Sequence, residues 1–543
     1  SEAMVAQRPN LSDDPAVVHR TAEYSAESVT AAVQPRRRRT RGKPEFSITQ
    51  RQFRPPMETL VLSDMHLSDA EPPDPKRPFW KAYKRAEYFI DDDVQRLLTW
   101  AAERSESPME LVLNGDIFDF DNITEIPDSP PSDVNWLGEL RGLTSESWMS
   151  AFKISRIIDD HPVFFQALTQ WVQDGHRLVF VLGNHDLELH WPEVQKLVRE
   201  ALELEKQEQT QVRFCDWFYV SQGDTFITHG HQYDPYCVAH SPIDPLIRVH
   251  GRPRVQIPFG DLAERYMLNG MGYFNPHATS NYIMSLKEYV RFFLKYMVRT
   301  QPLLLWTWFW GAMVTLFVTL RDYLRPSMRD PMLVEDKVSA IAFRANVTPK
   351  VVRQLNALSV ASAATDPMKV VRELWLDRGV LFLLMVGVAF QAVSAVNWIY
   401  AISPLWGLVP LAVLMPLFLM YSFKVKPQVF EAPLVDTKRA EMIHAITGAQ
   451  NCVMGHTHIP ELERIGPLTF ANGGFWSPAF AEPECTTRIG TQTFVWLRTD
   501  VSHQRDARRV ELWEWPPGGD APRSFAPRGA SGAFEPAPVA KVS

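Results

Sequence analysis

Five short polar clusters, each directly after an apolar run typical of a β-strand, constrain the fold more than any other feature of the sequence. The runs are TLVLS (59–63), ELVLN (110–114), RLVFVL (177–182), TFIT (225–228) and NCVM (451–454). The clusters are Asp64-Met-His66, Gly115-Asp116-Ile-Phe-Asp119, Gly183-Asn184-His185-Asp186, His229-Gly-His231 and Gly455-His456-Thr-His458. Carboxylate, amide and imidazole groups that follow neighbouring strands predict a metal site at the carboxyl ends of the strands.

Each cluster alone would carry little information. An isolated Asp-x-His is more often a surface pair or a turn cap, and an isolated Gly-Asn-His-Asp is an ordinary turn. Those interpretations do not explain five clusters that all follow strand-like runs. Within the fourth cluster, His231 is open to two interpretations, because it could contact a substrate or simply pack.

The order of these motifs resembles that of the calcineurin-like metallophosphoesterase superfamily, over residues 57–235 and 440–500. The resemblance implies an α/β fold, the αββα sandwich, in which helices flank two central β-sheets. It also implies two divalent metal ions at the strand ends. The expected activity is metal-dependent hydrolysis of a phosphoric ester or a pyrophosphate.

The resemblance also implies a role for each matching residue. The expected metal ligands are Asp64, His66 and His458 for one ion, Asn184, His229 and His456 for the other, and Asp116 as the bridge between them. Two such ions, roughly 3.5–4 Å apart, can clamp a phosphoryl group and activate a water. Oxygen and nitrogen ligands without thiolate suit Mn, which we expect, as well as Fe, Zn or Co.

Two further residues match the family's proton-transfer pair. His185 corresponds to the general acid that protonates the leaving oxygen, a role worth roughly 10²–10⁴ in rate. Asp119 corresponds to the carboxylate that orients this histidine. We therefore expect His185 and Asp119 to be the catalytic pair.

A long insertion separates the fourth cluster from the fifth. It carries three apolar stretches without Lys, Arg, Asp or Glu, at 303–320, 379–400 and 405–421. These lengths are close to the ~17–25 residues that span a bilayer as a helix, and aromatic residues lie near their ends. A buried helical core is the alternative, but three such stretches in one insertion favour membrane association.

The number of crossings follows from the active site, because the fourth and fifth clusters must lie on the same side of the membrane. The chain must therefore cross an even number of times. Basic residues flank the first stretch on both sides, precede the second and follow the third, which by the positive-inside tendency places these flanks in the cytoplasm. We predict a transmembrane hairpin over 379–421. The stretch 303–320 would be re-entrant or interfacial, and 282–298 a helix on the membrane surface.

These features predict the organisation of the chain. The predicted parts are a disordered basic tail (1–52), a first part of the phosphoesterase domain that includes a lid (53–280), a helical membrane-associated insertion (281–426), a second part of the domain (427–515) and a disordered tail (516–543). The first fifty residues lack an apolar core, so we expect no signal peptide. Four cysteines without metal-ligand spacing favour a reducing compartment.

The sequence therefore predicts a membrane-anchored phosphoesterase on the inner or plasma membrane, with its catalytic domain facing the cytoplasm. The expected partners are membrane lipid and a phosphorylated, lipid-linked substrate. The net charge of −7 argues against a nucleic-acid partner. Several motifs are similar to the UDP-2,3-diacylglucosamine pyrophosphatase branch, which typically has Arg where this chain has His185. The alternatives are a phosphodiesterase or nuclease acting on soluble substrates, and a non-catalytic membrane scaffold.

Overall fold

The computed structural model describes residues 57–273, 291, 293–297, 304–325, 331–425, 434–499 and 508–526. The chain divides into two units, Ser1–Pro55 with Asp128–Asp133 and Pro56–Pro127 with Val134–Ser543. The described part of the first unit is an irregular segment, 128–133. The predicted tail 1–52 and most of the predicted surface helix 282–298 lie outside the described residues.

The strands of the described chain belong to the second unit. They are β1 (Thr59–Leu62), β2 (Glu110–Asn114), β3 (Arg177–Val181), β4 (Val212–Cys215), β5 (Phe218–Ser221), β6 (Thr225–Thr228), β7 (Leu246–Val249), β8 (Arg252–Val255), β9 (Asn451–Met454), β10 (Glu461–Ile465), β11 (Leu468–Asn472), β12 (Ala479–Phe480), β13 (Arg488–Ile489), β14 (Gln492–Arg498), β15 (Arg509–Trp515) and β16 (Arg523–Ser524). All five strands predicted from the apolar runs are present, as β1, β2, β3, β6 and β9.

The helices of the same unit follow in chain order. They are α1 (Asp91–Arg104), α2 (Trp136–Arg141), α3 (Ser147–Asp160), α4 (Pro162–Gln173), α5 (Pro192–Ala201), α6 (Phe259–Ala263), α7 (Asn269–Met271), α8 (Leu304–Tyr323), α9 (Pro331–Arg344), α10 (Pro349–Asn356), α11 (Pro367–Glu373), α12 (Leu376–Asn397), α13 (Leu408–Lys424) and α14 (Thr437–Thr447). A π-helical turn, Glu264–Leu268, joins α6 to α7, and a second covers Phe293–Met297.

Two sheets form the centre of the unit. In the first, the strand order over the described residues is β16-β15-β14-β1-β2-β3-β4, with β1 to β4 parallel. In the second, the order is β10-β11-β9-β6-β5, with β9 parallel to both β6 and β11. Because the strands that precede the five clusters are parallel neighbours within their sheets, their carboxyl ends share one edge of each sheet.

Each strand contributes side chains to two apolar layers, one between the sheets and one under the helices, because successive side chains of a strand point to opposite faces. On β1, Val61 packs between the two sheets with Val112 of β2 and Val453 of β9. Leu60 of the same strand points outward, into the core formed with helices α1, α3, α4 and α5. The predicted αββα sandwich is confirmed.

Between its apolar stretches, the insertion predicted at 281–426 forms short helices that pack on the domain. Helices α9 and α10 form part of the outer layer of the second sheet, where Ile341 and Val352 pack with Phe226 and Cys452. The backbone of Val220 on β5 also donates a hydrogen bond to the carbonyl of Ala345. The apolar faces of these short helices cover the sheet and complete the domain core.

Among the described residues of the insertion, two helices are long and apolar enough to cross a membrane, Leu376–Asn397 and Pro404–Lys424. They are the second and third stretches of the prediction. Phe382 packs on Phe418, and Asp377 accepts a hydrogen bond from Tyr421, so the two helices run antiparallel as a hairpin. By contrast, α8 packs one face on the domain, with Ala312 and Thr315 fully buried. The difference in burial separates the first apolar stretch from the other two.

The predicted C-terminal tail, 516–543, includes an ordered part among its described residues, 516–526. Arg523–Ser524 form an edge strand on β15, and Arg523 Nε lies 2.9 Å from Glu514 Oε2. Phe525 packs with the apolar layer between the sheets. A charge pair and an apolar contact therefore order residues that composition alone predicts to be disordered.

Candidate metal and active site

Left-handed backbone at residues other than glycine turns the chain sharply in three of the five clusters, the first, the second and the fifth. Left-handed backbone, with φ between 50° and 70°, occurs at Asp64, His66, Asp116, His456 and His458. Side chains other than glycine rarely adopt this conformation, and holding it costs of the order of 1–3 kcal/mol per residue. Such strain is typical of positions where a fold turns the chain sharply to present a side chain.

Two glycines of the clusters lie where a neighbouring carboxylate leaves no room for a side chain. A side-chain carbon at Gly183 would overlap the carboxylate of Asp116, and one at Gly455 would overlap that of Asp64. These two carboxylates are almost completely buried. Glycine before Asn184 and before His456 thus allows neighbouring strand ends to come together.

The first predicted ligand group is brought together. The Nε2 atom of His458 lies 3.2 Å from Oδ1 of Asp64 and 3.3 Å from Nε2 of His66. The donor atoms of these three residues all lie within 4.8 Å of one another. Their spacing is compatible with a shared cation.

The second group centres on Asp116 and His229. Their Oδ2 and Nε2 atoms are 3.0 Å apart, while Nδ1 of His229 faces the carbonyl of Asn114 at 3.0 Å. Burial alone would raise the pKa of Asp116, but the neighbouring histidines outweigh it and lower that pKa well below its usual value. The carboxylate in turn raises the pKa of His229, against the effect of burial, to about 9. The site therefore favours a cation beside Asp116.

His456 joins Asp116 and His229 as a third potential ligand of this group. Its Nε2 atom lies 2.9 Å from Oδ2 of Asp234, and its backbone N–H donates to the Asp64 carboxylate. Histidines that bind metals commonly donate the other ring N–H to a carboxylate, which fixes the orientation of the ring. Asp234 is therefore suited to orient His456.

Asn184 completes the set of predicted ligands. Its Nδ2 atom donates to Oδ1 of Asp261 at 2.7 Å. Its Oδ1 atom is buried and accepts no hydrogen bond. A buried amide oxygen without a donor costs about 1–3 kcal/mol, so this atom needs a partner, and a cation satisfies that need. The donor set therefore fits two divalent metal ions.

His185 lies among carboxylates. Its Nδ1 atom is 3.7 Å from Oδ1 of Asp119, and its Nε2 atom is 3.4 Å from Oδ1 of Asp261 and 3.7 Å from Oε2 of Glu264. Burial alone would lower the pKa of His185, but Asp261, Glu264 and Asp116 together raise it well above its usual value. The imidazole therefore lies among carboxylates that favour its protonated form.

Two other polar residues of the clusters have supporting positions. Asp186 accepts backbone hydrogen bonds from Gly183 at 2.5 Å and Ile117 at 2.9 Å, which ties the second and third clusters together. His231 is fully enclosed, and burial together with the charge of His229 lowers its pKa well below the usual value. A neutral, packed His231 agrees with the structural interpretation of this residue.

Three carboxylates of the site were not predicted from the sequence: Asp234, Asp261 and Glu264. The last two lie on α6 and the π-helical turn, in the segment predicted as a lid. Their spacing could have indicated the site. Residues three apart on a helix lie on one face, so two acidic residues at this spacing in an apolar segment can face the same group.

The profile of the calcineurin-like phosphoesterase family matches residues 57–265. Over these residues the chain is similar to calcineurin-like phosphoesterase domains. Proteins of this family are metal-dependent phosphoester hydrolases, so the predicted enzyme class is confirmed. The match ends before the fifth cluster, but in the fold β9 carries His456 and His458 to the same edge as the matched residues. A search of curated proteins found no significant match.

The family uses centres of two divalent metals, and the phosphoesterase domain presents Asp and His groups able to hold them. Bound cations would supply Lewis-acid activation of a phosphoryl group. Asp116 lies among the groups that could hold such ions, and His185 lies beside them. Together these groups suit the hydrolysis of a phosphoester.

Proposed function

We propose that this protein is a membrane-anchored phosphoesterase with two divalent metals that hydrolyses a phosphate ester or pyrophosphate bond of a lipid-linked substrate. In this proposal Asp64, His66 and His458 hold one ion, and Asn184, His229 and His456 hold the other. Asp116 bridges them. His185 donates a proton from Nε2 to the leaving oxygen, and Asp119 orients the ring through Nδ1. Mn is the metal we expect.

One structural connection supports the lipid-linked substrate. The helix beside the candidate site contacts α8, and α8 contacts the apolar hairpin. Asp261 on α6 contacts Asn184, while the carbonyl of Leu262 on the same helix accepts a hydrogen bond from Thr315 on α8 at 3.4 Å. Trp308 of α8 lies against Gly379 of α12. The active site and the proposed anchor are thus joined by packed helices.

The hairpin of α12 and α13 has the properties of a membrane anchor. No side chain of α13 is buried against the protein, and residues 379–423 carry no charge. Phe390 is 67% exposed and Trp398 at the tip is 95% exposed. Apolar helices of this length with no protein partner are stable in a bilayer rather than in water.

The base of the hairpin is polar and well connected. Tyr421 donates a hydrogen bond to Oδ2 of Asp377 at 2.7 Å, and Arg378 contacts the carbonyl of Val425. Lys424 lies at the same end. Positive charge at this end supports an orientation in which the phosphoesterase domain faces the cytoplasm.

Helix α8 also supports a position of the phosphoesterase domain at the membrane surface, although this helix does not cross the membrane. Trp306 and Phe317, which are 63% and 65% exposed, lie on the face opposite to the buried Ala312 and Thr315. An aromatic and aliphatic outer face beside the hairpin suits a helix in the bilayer interface. The lipid portion of a substrate in the bilayer would then meet the protein close to α6.

The experiment is a hydrolysis screen with the full-length protein purified in detergent and supplied with Mn²⁺. Phospholipids and nucleotide-linked lipids in mixed micelles are compared with soluble nucleotides and aryl phosphates, with Asp116→Ala as the inactive control. A preference for lipid-linked substrates supports the proposal. Faster hydrolysis of soluble diesters would favour a soluble-substrate phosphodiesterase, the alternative consistent with histidine rather than arginine at His185. No hydrolysis of any substrate would favour a scaffold.

The anchor is tested separately by replacing residues 379–421 with a short Gly-Ser linker. The ends of the hairpin are close enough to be joined, since Asp377 and Tyr421 are hydrogen-bonded. We expect the variant to leave the membrane fraction and to retain its metal content. A variant that stays in the membrane fraction would place the anchor elsewhere, with α8 the first region to examine.

A further inference from the structure

We infer that Asp261 is a positioning residue for the metal centre: it fixes the side-chain amide of Asn184 so that the carbonyl oxygen is presented to the metal. The inference rests on the proposed function, because it assigns a role toward the proposed ions. Asp261 lies outside the five clusters. Its segment is predicted from the sequence only as part of a lid.

The contact between these residues is short and buried. Asn184 Nδ2 donates to Asp261 Oδ1 at 2.7 Å, and the two residues are 4% and 1% exposed. The backbone N–H of His185, the next residue, donates to Oδ1 of Asp116 at 2.9 Å. Asn184 is therefore held beside the carboxylate that would bridge the ions.

The chemistry of the pair selects one orientation of the amide. Nδ2 of Asn184 donates to Oδ1 of Asp261, and a carboxyl oxygen can accept this hydrogen bond whether or not the group is ionised, so the NH₂ end of the amide faces Asp261. Because the amide is planar, holding Nδ2 also fixes the direction of Oδ1. That oxygen is the buried atom without a hydrogen-bond donor. An amide turned by 180° would present N–H groups, which cannot bind a cation.

The backbone around Asp261 holds it in this position. The N–H of Gly260 donates to the carbonyl of Tyr236 at 2.8 Å, and the N–H of Leu262 donates to the carbonyl of Pro258 at 3.0 Å. Asp261 also faces Nε2 of His185, but at 3.4 Å, a longer distance than to Asn184. The shorter contact identifies the amide as the principal partner of Asp261.

The test compares Asp261→Ala with Asp261→Asn in the full-length protein in detergent. The first removes the acceptor, whereas the second keeps an oxygen that can accept from Asn184. Mn²⁺ binding is measured by calorimetry, and coupled Mn pairs are detected by electron paramagnetic resonance. We expect wild type to bind two ions. Asp261→Ala should bind one of the two ions 10–100-fold more weakly, which is the loss typical when a residue that orients a metal ligand is removed. The signal of the coupled Mn pair should also be lost.

Asp261→Asn should restore the affinity to within about threefold of wild type. Glu193→Gln is the control, because Glu193 is an exposed carboxylate of α5 outside the site, and it should retain both ions. If Asp261→Ala does not fold, Asp261→Ser replaces it with the same expected loss, since the shorter side chain cannot reach Asn184. In an Asn184→Ala background, loss of Asp261 should weaken binding no further.

Three results separate the possibilities. Full binding by Asp261→Ala would overturn the inference. Equal losses in Asp261→Ala and Asp261→Asn would also overturn it, because they would show that the carboxylate itself is required. If wild type fails to bind two ions, the proposed metal centre is wrong, and that failure is visible before any variant is compared.

Discussion

The Nε2 atom of His185 lies 3.4 Å from the Oδ1 atom of Asp261. The first residue belongs to a cluster at the end of β3, and the second belongs to a helix of the segment after β8. The contact thus joins the part of the site predicted from the sequence to the part that was not. It also contributes to the raised pKa of His185, whose proton the proposed reaction uses.

The role of His185 is tested by substitution. His185→Ala should lower kcat by roughly 10²–10⁴, because the leaving oxygen loses its proton donor. The metal content should remain close to that of wild type, since none of the proposed metal ligands is changed. Turnover of an aryl phosphodiester and metal analysis of the same sample measure both quantities. Loss of the metals from this variant would make His185 structural instead.

A pH profile tests the pairing of His185 with Asp119. Because its pKa is raised, His185 should be protonated across neutral pH, and activity should fall only as the pH rises through that raised value. Asp119→Asn removes a negative charge that stabilises the imidazolium. The alkaline limb of kcat against pH should therefore move to lower pH. A limb that stays in place would show that another group titrates there.

The packing of α8 on the active-site helix gives a third prediction. A side chain at Gly311 would meet the backbone carbonyl of Tyr266 at 2.7 Å, so Gly311→Leu should push α8 away from the π-helical turn. Such overpacking typically costs about 1–3 kcal/mol, and we expect lower turnover with membrane binding retained. Gly387→Leu is the control, because that position has open space around it. Equal activity in the two variants would contradict the coupling.

Acid stability should depend on Asp224, which lies outside the site. Arg508 Nη2 contacts its Oδ1 atom at 2.6 Å and joins the β5–β6 turn to the first sheet through Thr59. Burial would raise the pKa of Asp224, but the hydrogen bonds and charge of Arg508 outweigh it and lower that pKa. The pair therefore stabilises the fold above the pKa of the unfolded carboxyl, and this contribution is lost as pH falls through the folded value.

Asp224→Asn should reduce the free energy of unfolding at neutral pH by about 3–5 kcal/mol, because a buried charge loses its partner. The difference from wild type should shrink in acid, where wild type also loses the pair. Denaturant unfolding at several pH values measures this, with the exposed Asp520→Asn as control. A difference that does not change with pH would show that packing, not charge, links these residues.

The strands and the clusters at their ends could be predicted because both signals are local. An apolar run such as ELVLN ends at Asn114 in the sequence and in the fold. The overlap that Gly183 avoids with Asp116 could not be predicted from one segment, because these residues belong to different strands. The sequence does place glycine there, and the structure supplies the reason.

What could not be predicted depends on tertiary packing. Asp261 and Asp234 reach the site only because the segment after β6 folds back over the strand ends. The composition of α9 does not show whether its apolar face packs on the second sheet or on a membrane. That depends on the surface which the helix meets in the folded protein. The short edge strand at Arg523 likewise depends on Glu514, its partner on β15.

The most direct test of the central claim is the metal content of the full-length protein, measured together with hydrolysis of bis(4-nitrophenyl) phosphate. We predict two divalent ions per chain, and activity that is lost on chelation and restored by Mn²⁺. Asp116→Ala, which removes the bridge, and Gly183→Ala, which displaces it, should lose paired metals and activity together. Full activity in Asp116→Ala, or hydrolysis that persists after the metals are removed, would contradict the account.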